Sequence, residues 1–129
     1  MNEKGFYPYQ AAIDAYGDMG FRFAGMSHRG SLLCLPTGMH EWGVGHADAL
    51  TLDALAPALE CADDLDVLLI GLGADIGFLS PKIRDAFRAR NVVVEAIGTG
   101  GAVRTYNVLL AEDRAVGAAL IAVERSGGR

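Results

Sequence analysis

Most of the groups that could do chemistry crowd into one stretch, Gly98-Thr99-Gly100-Gly101-Ala102-Val103-Arg104-Thr105-Tyr106-Asn107. Glycines leading into a helix leave backbone N–H groups able to hold a small anion. Thr99 would add a hydroxyl and Arg104 a positive charge. The competing reading is that the glycines let a strand and a helix pack closely while Thr99 caps the helix. No Lys-Ser or Lys-Thr pair follows, so a phosphate-transferring P-loop is unsupported. A second glycine cluster, Gly71-Leu72-Gly73-Ala74-Asp75-Ile76-Gly77, invites comparison with a dinucleotide fingerprint. That pattern wants glycine or alanine where Ile76 stands and a helix opening inside the motif. The helix signal here is Ser80-Pro81, well beyond it. Glu95 stands near the spacing of a ribose-binding acid, but one acid at that distance is common.

Other constellations are weaker. Tyr106 could move a proton only with a depressed pKa and a cation beside it, and Arg104, two residues back, leaves a helix on a different side. A buried ring whose hydroxyl reaches a partner at the domain edge fits better. His40, Glu41 and His46 lack the His-Glu-x-x-His spacing, and a glycine-rich loop does not fix ligands on one face, so no metal is assigned. His28 falls in an expected turn and reads as exposed. Neither Ser27 nor Ser31 sits in a nucleophile elbow. Cys34 reads as core and Cys61 as an ordinary thiol. Lys82, Arg84 and Arg88 form a basic run, with Arg90, partly offset by Asp85. Such a run is either solvated helix surface or a docking face for an acidic partner.

The elements that must position these groups follow from periodicity and turn chemistry. Ile13–Tyr16, Phe21–Ala24 and Ser31–Leu35 read as strands of an N-terminal antiparallel meander, with Ser27-His28-Arg29-Gly30 as a hairpin loop. Thr37–His46 is rich in glycine and carries the only tryptophan, Trp42. Thr51 could cap a helix carrying Leu52, Leu55 and Leu59, interrupted by Pro57. Val67–Ile70 is a continuous apolar run, as expected of a strand covered on both faces. Ser80-Pro81 opens a helix to Arg90, with Ile83, Ala86 and Phe87 inward. Val92–Val94 is a second buried strand. The helix that follows Gly98 should bury Ala102, Val103, Tyr106, Leu109 and Leu110, leaving Thr99, Arg104 and Asn107 available. Ala115–Val123 reads as a last strand. Alternating helix and strand implies α/β layering around a mostly parallel core. Ligands in such sheets bind beyond the carboxyl ends of the strands, which here release the Gly71 and Gly98 loops as neighbours.

Composition bounds the function. The chain has 129 residues and a net charge of −5. One domain of this size, expected over residues 11–124, buries roughly two-thirds of its unfolded surface without disulfide or metal. Residues 1–10 show no period and are expected as a flexible arm, and 125–129 as a tail. An acidic balance disfavours nucleic acid, and no apolar run reaches a membrane-spanning length. Two unpatterned cysteines and no leader pattern fit a cytoplasmic protein.

Several motifs together resemble one family. They are Leu-Leu-Ile-Gly-Leu-Gly closing a strand, the Ser-Pro helix start, Val-Val-Val-Glu, Thr-Gly-Gly-Ala-Val-Arg-Thr-Tyr-Asn-Val-Leu and the final Arg-Ala-Val-Gly-Ala-Ala-Leu. The family is the Mth-type domain of unknown biochemical function that includes mitochondrial complex I assembly factor 3 and an adipogenesis-associated protein. The likeness covers Ile13 to Val123 and is most specific at Thr105-Tyr106-Asn107. It implies a three-layer α/β domain with a central mixed sheet and a small additional β element, of the prokaryotic single-domain type. It implies protein partners, as in complex assembly; it carries over no reaction or cofactor, and none is assigned.

Two functions are therefore expected to compete. One is a non-enzymatic binding module that helps assemble a protein complex, with Lys82, Arg84 and Arg88 as partner-binding residues. The other is a small-ligand or small-anion site, or a small enzyme, in the crevice between the Gly71 and Gly98 loops. It would use Gly71, Gly73, Asp75, Thr99, Gly100, Arg104 and Asn107. No catalytic residue is assigned.

Overall fold

The computed structural model describes residues 6–74 and 77–125. The apolar run at its centre is strand β7 (Val67–Gly71), flanked by β8 (Val93–Ile97) and β9 (Val116–Leu120), both parallel to it. Leu68 and Ile70 join one core and Leu69 the other, so burial on both faces hides the alternation. Beyond β9 the sheet continues antiparallel through β5 (Ser31–Leu35), β6 (Gly38–Trp42) and the two-residue β1 (Phe6–Tyr7), giving the order β1-β6-β5-β9-β7-β8. Phe6-Tyr7, inside the stretch expected as an arm, is thus paired with Met39 and His40.

The sheet is mixed, as the resemblance implies, and not mostly parallel as alternation alone suggests. The meander reading also changes. Strands β2 (Ala15–Gly17), β3 (Gly20–Phe23) and β4 (Met26–Arg29) form their own three-stranded antiparallel sheet, and Ser31–Leu35 leaves it for the central one. Ser27-His28-Arg29 is therefore strand and not loop. The turn lies earlier, at Ala24-Gly25, where both residues take positive φ of 50° and 77°. Two such residues match the twist of a tight hairpin.

One layer over the sheet holds α1 (Ala56–Glu60) and α2 (Pro81–Arg88), which close a core around Leu33, Trp42, Leu68, Ile70, Phe87 and Val94. The other holds α3 (Thr99–Ala111) and the small sheet, around Phe21, Phe23, Leu69, Val103, Tyr106 and Leu120. The helix expected across Pro57 is instead a 3-10 turn at Asp53–Leu55 followed by α1, with Pro57 in its first turn. A proline there gives up no helical hydrogen bond. Thr51 Oγ1 does accept from Ala54 N, at 3.1 Å. In α2 the Ser80 hydroxyl accepts from Lys82 N at 3.2 Å, while Ile83 and Phe87 are buried. Among the described residues no helix is long and apolar enough to cross a membrane.

Candidate functional site

The carboxyl ends of β7 and β8 bring the two glycine loops together. Gly71 has no room for a side chain, because a Cβ would stand 2.9 Å from Thr99 Cα. Thr99 is completely buried. Its hydroxyl donates to Ile121 O at 2.7 Å and accepts from Gly73 N at 3.0 Å, while its own N–H donates to Gly73 O at 2.9 Å. The loops are stitched together through this residue. Gly71 is thus a packing contact, while Thr99 borders the crevice between the loops with its hydroxyl and N–H already engaged. Thr99 is also not the helix cap. Gly98 holds that position, with no side-chain cap bond.

The loops border a crevice of about 390 Å³ whose lining includes Gly73, Gly98, Thr99, Gly100, Arg104 and Arg125. It lies where the connection from β7 leads to α2 on one face and that from β8 to α3 on the other, a topological switch point. The first-turn N–H groups of a helix have no intrahelical partners, and those of Gly100 and Gly101 open this rim. Asp75 lies outside the described residues. Arg125 carries no local motif. It reaches the rim because β9 pairs along β7 and delivers the chain there. The nine residues between β7 and α2 keep the α2 N-terminus out of the glycine motif, unlike a dinucleotide site.

Asn107 is not free either. Its Oδ1 accepts from Ile13 N and its Nδ2 donates to Ile13 O, each at 2.8 Å. One turn of helix thus completes both backbone bonds of a buried residue 94 positions away. Tyr106, fully buried, donates to Ala11 O at 2.8 Å, and Gln10 Nε2 donates to Val116 O at 2.7 Å. Burial pushes the Tyr106 phenol far up, and the neighbouring Cys34 adds to it; burial likewise pushes the Cys34 thiol up. Neither ionises near neutrality. Tyr106 and Asn107, the most specific part of the family likeness, clasp the incoming chain at residues 11–13.

The basic run splits. Arg84 is half-buried and donates from Nη1 to Val94 O at 2.6 Å, beside Arg88 over the outer edge of β8. Arg88 also lies 3.7 Å from Asp85, both side chains being exposed. Lys82 faces another cleft, with Thr51 and Asp53. His28, expected in the open, is buried and bonds through Nε2 to Ser31 O at 2.9 Å. His40 and Glu41 alternate along β6 and so face opposite sides. His40 bonds Thr37 Oγ1 at 2.8 Å, and burial lowers its pKa.

A family model described as "Protein of unknown function (DUF498/DUF598)" matches residues 13–121. The chain belongs to this family. Within the DUF498 family it is 43% identical over 109 residues to an uncharacterised protein of Rhodobacter capsulatus, covering 84% of this chain and 82% of that one. It is 30% identical over 115 residues to the NADH dehydrogenase [ubiquinone] 1 alpha subcomplex assembly factor 3 of Mus musculus, covering 89% of this chain and 62% of that factor. The DUF498 chain thus spans under two-thirds of the assembly factor's length. A crystal structure of a Bartonella henselae protein, described as an outer membrane protein, superposes with a TM-score of 0.88 at 46% identity, over 92% of this chain and 99% of that one. A Bordetella pertussis structure described as a Mth938-like domain superposes at 0.79 and 27% identity, over 91% and 89%.

Proposed function

We propose that this DUF498 protein is a non-enzymatic binding module that assists assembly of a multisubunit respiratory complex. The reading is supported by the assembly-factor relatives. The observation that carries it toward binding and away from catalysis is the engagement of Thr99, Tyr106 and Asn107 with the protein's own backbone. A cytoplasmic location belongs to the same reading, supported by Cys34 and Cys61 being buried free thiols. Deleting the gene in its native cell and resolving respiratory complexes on native gels tests it. Loss of assembled complex I is expected, restored by wild-type protein. Unchanged complex I levels would overturn the reading.

One observation favours a second reading. Arg104 and Arg125 both line the switch-point crevice beside the N–H groups of Gly100 and Gly101, an arrangement suited to a small anion. Calorimetry with inorganic phosphate tests it. Heat that disappears in Arg104→Glu supports the anion site, and no heat from wild-type protein removes it.

A further inference from the structure

Among the described residues strand β8 ends the central sheet. Its pairing with β7 uses the backbone of Val93, Glu95 and Ile97, seen in Val93 N donating to Asp66 O and Ile97 O accepting from Leu72 N. Alternation then turns the N–H and C=O groups of Val94 and Ala96 outward. One of these groups is covered: the Arg84 guanidinium holds Val94 O at 2.6 Å, and Val94 is only 3% exposed. An edge closed by a cationic side chain is protected against stray strand pairing. The same cation is a handle for the right strand.

The two flanks of this edge differ in chemistry. On the α2 side stand Arg84 and Arg88. On the other stand the exposed Val93 and Ile97, with Glu95 between them. A second copy of this chain does not fit. An antiparallel pair about a two-fold axis would set Glu95 opposite or diagonal to its copy, at distances where like charges repel. It would also bring both pairs of arginines onto one face. The complement is a strand with carboxylates toward α2, a cation opposite Glu95 and apolar residues opposite Val93 and Ile97. That pattern, apolar-acidic-basic-acidic-apolar, reads the same in either direction.

We infer that the β8 edge, latched by Arg84 in the free protein, accepts an extended segment of another protein with this alternating charge pattern. The inference deepens the assembly reading and rests on it. Arg84 leaves the Val94 carbonyl for a carboxylate of the incoming strand, trading a bond to a neutral acceptor for a stronger one to a charged acceptor. The freed Val94 carbonyl pairs with the strand's backbone, so main-chain bonds give affinity and side chains give selectivity.

The test is titration of isotope-labelled protein with a synthetic peptide, Thr-Val-Glu-Lys-Glu-Ile-Thr, followed by NMR. Saturable shifts are expected at the Val94 and Ala96 amides and at the Arg84 side chain. At least tenfold weaker binding is expected for the charge-swapped Thr-Val-Lys-Glu-Lys-Ile-Thr and for the first peptide N-methylated at the Glu, Lys, Glu and Ile amides, which removes the donors facing the edge in either strand direction. No shift at millimolar peptide, or equal shifts with all three peptides, overturns the inference. Affinity isolation separates it from the wider reading. A partner that wild-type protein captures and the Arg84→Glu/Arg88→Glu variant keeps leaves the assembly role standing and removes the β8 edge. Deletion without effect on complex I, with peptide shifts as expected, removes the assembly role and leaves the edge.

Discussion

Replacing Asn107 by alanine tests the clasp between α3 and residues 11–13. The amide supplies both hydrogen bonds of the Ile13 backbone, at 2.8 Å each, and Ile13 itself is 4% exposed. A typical intramolecular hydrogen bond contributes about 1 kcal/mol net, and a buried group left unpaired costs about 1–3 kcal/mol. Asn107 is only half-buried, so water can reach part of the gap and the lower values apply, about 2 kcal/mol in all. With an unfolding entropy of about 2.1 cal/mol/K per residue, that lowers Tm by about 7 °C for a chain of this length. Asn107→Asp sharpens the test. The introduced carboxylate still accepts from Ile13 N but repels Ile13 O, so the folded state favours its protonated form. A raised folded-state pKa gives stability that is complete below the unfolded value of about 4 and lost as pH rises. Differential scanning calorimetry across that range should therefore show Asn107→Asp closest to wild type in acid and weakest near neutrality. A Tm for Asn107→Ala within about 2 °C of wild type would refute the reasoning, because surface side chains away from such contacts change stability by about 0.5 kcal/mol or less.

Thr99→Val keeps shape and removes the hydroxyl that joins Ile121 O to Gly73 N. A loss of about 2–3 kcal/mol is expected in chemical denaturation, while Thr99→Ser should retain most of it; equal losses in the two variants would count against the stitch. In the alkaline range, folded Cys34 and Tyr106 keep their protons beyond the ordinary values of 9.0 and 10.0, while the unfolded chain releases them. Stability is then complete below about pH 9 and falls as pH rises, since the unfolded state binds fewer protons there. Melting curves should show this decline, and Cys34→Ala should make it shallower; an identical slope in the variant would show that the thiol takes no part.

Local chemistry made much of the domain legible. The Val67–Ile70 run, the Ser80-Pro81 helix start and the amphipathic face of α3 each carry their signal within a few residues. Where the chain reads differently from its fold, the deciding partner is remote. Thr99 reads as a cap because its acceptor, Ile121, lies 22 positions away, and Asn107 reads as available because its partner lies 94 away. His28 reads as a turn residue because the actual turn, Ala24-Gly25, has a weak composition signal. Arg125 enters the crevice only through sheet pairing. Polar groups in the Gly98–Asn107 stretch looked functional for a sound reason, yet polar side chains that complete buried backbone look the same in sequence.

The place of β9 between β5 and β7 has a consequence for synthesis. The last strand among the described residues is the one that joins the antiparallel half of the sheet to the parallel half. Until Val116–Leu120 has left the ribosome, β5 and β7 each present an unpaired edge, and the two halves share no backbone bond across the gap. Domains generally begin to fold from the N-terminus during translation, and open strand edges are then prone to wrong pairing. The sheet closes only once β9 has emerged, so a chain truncated before β9 is the form that needs a chaperone.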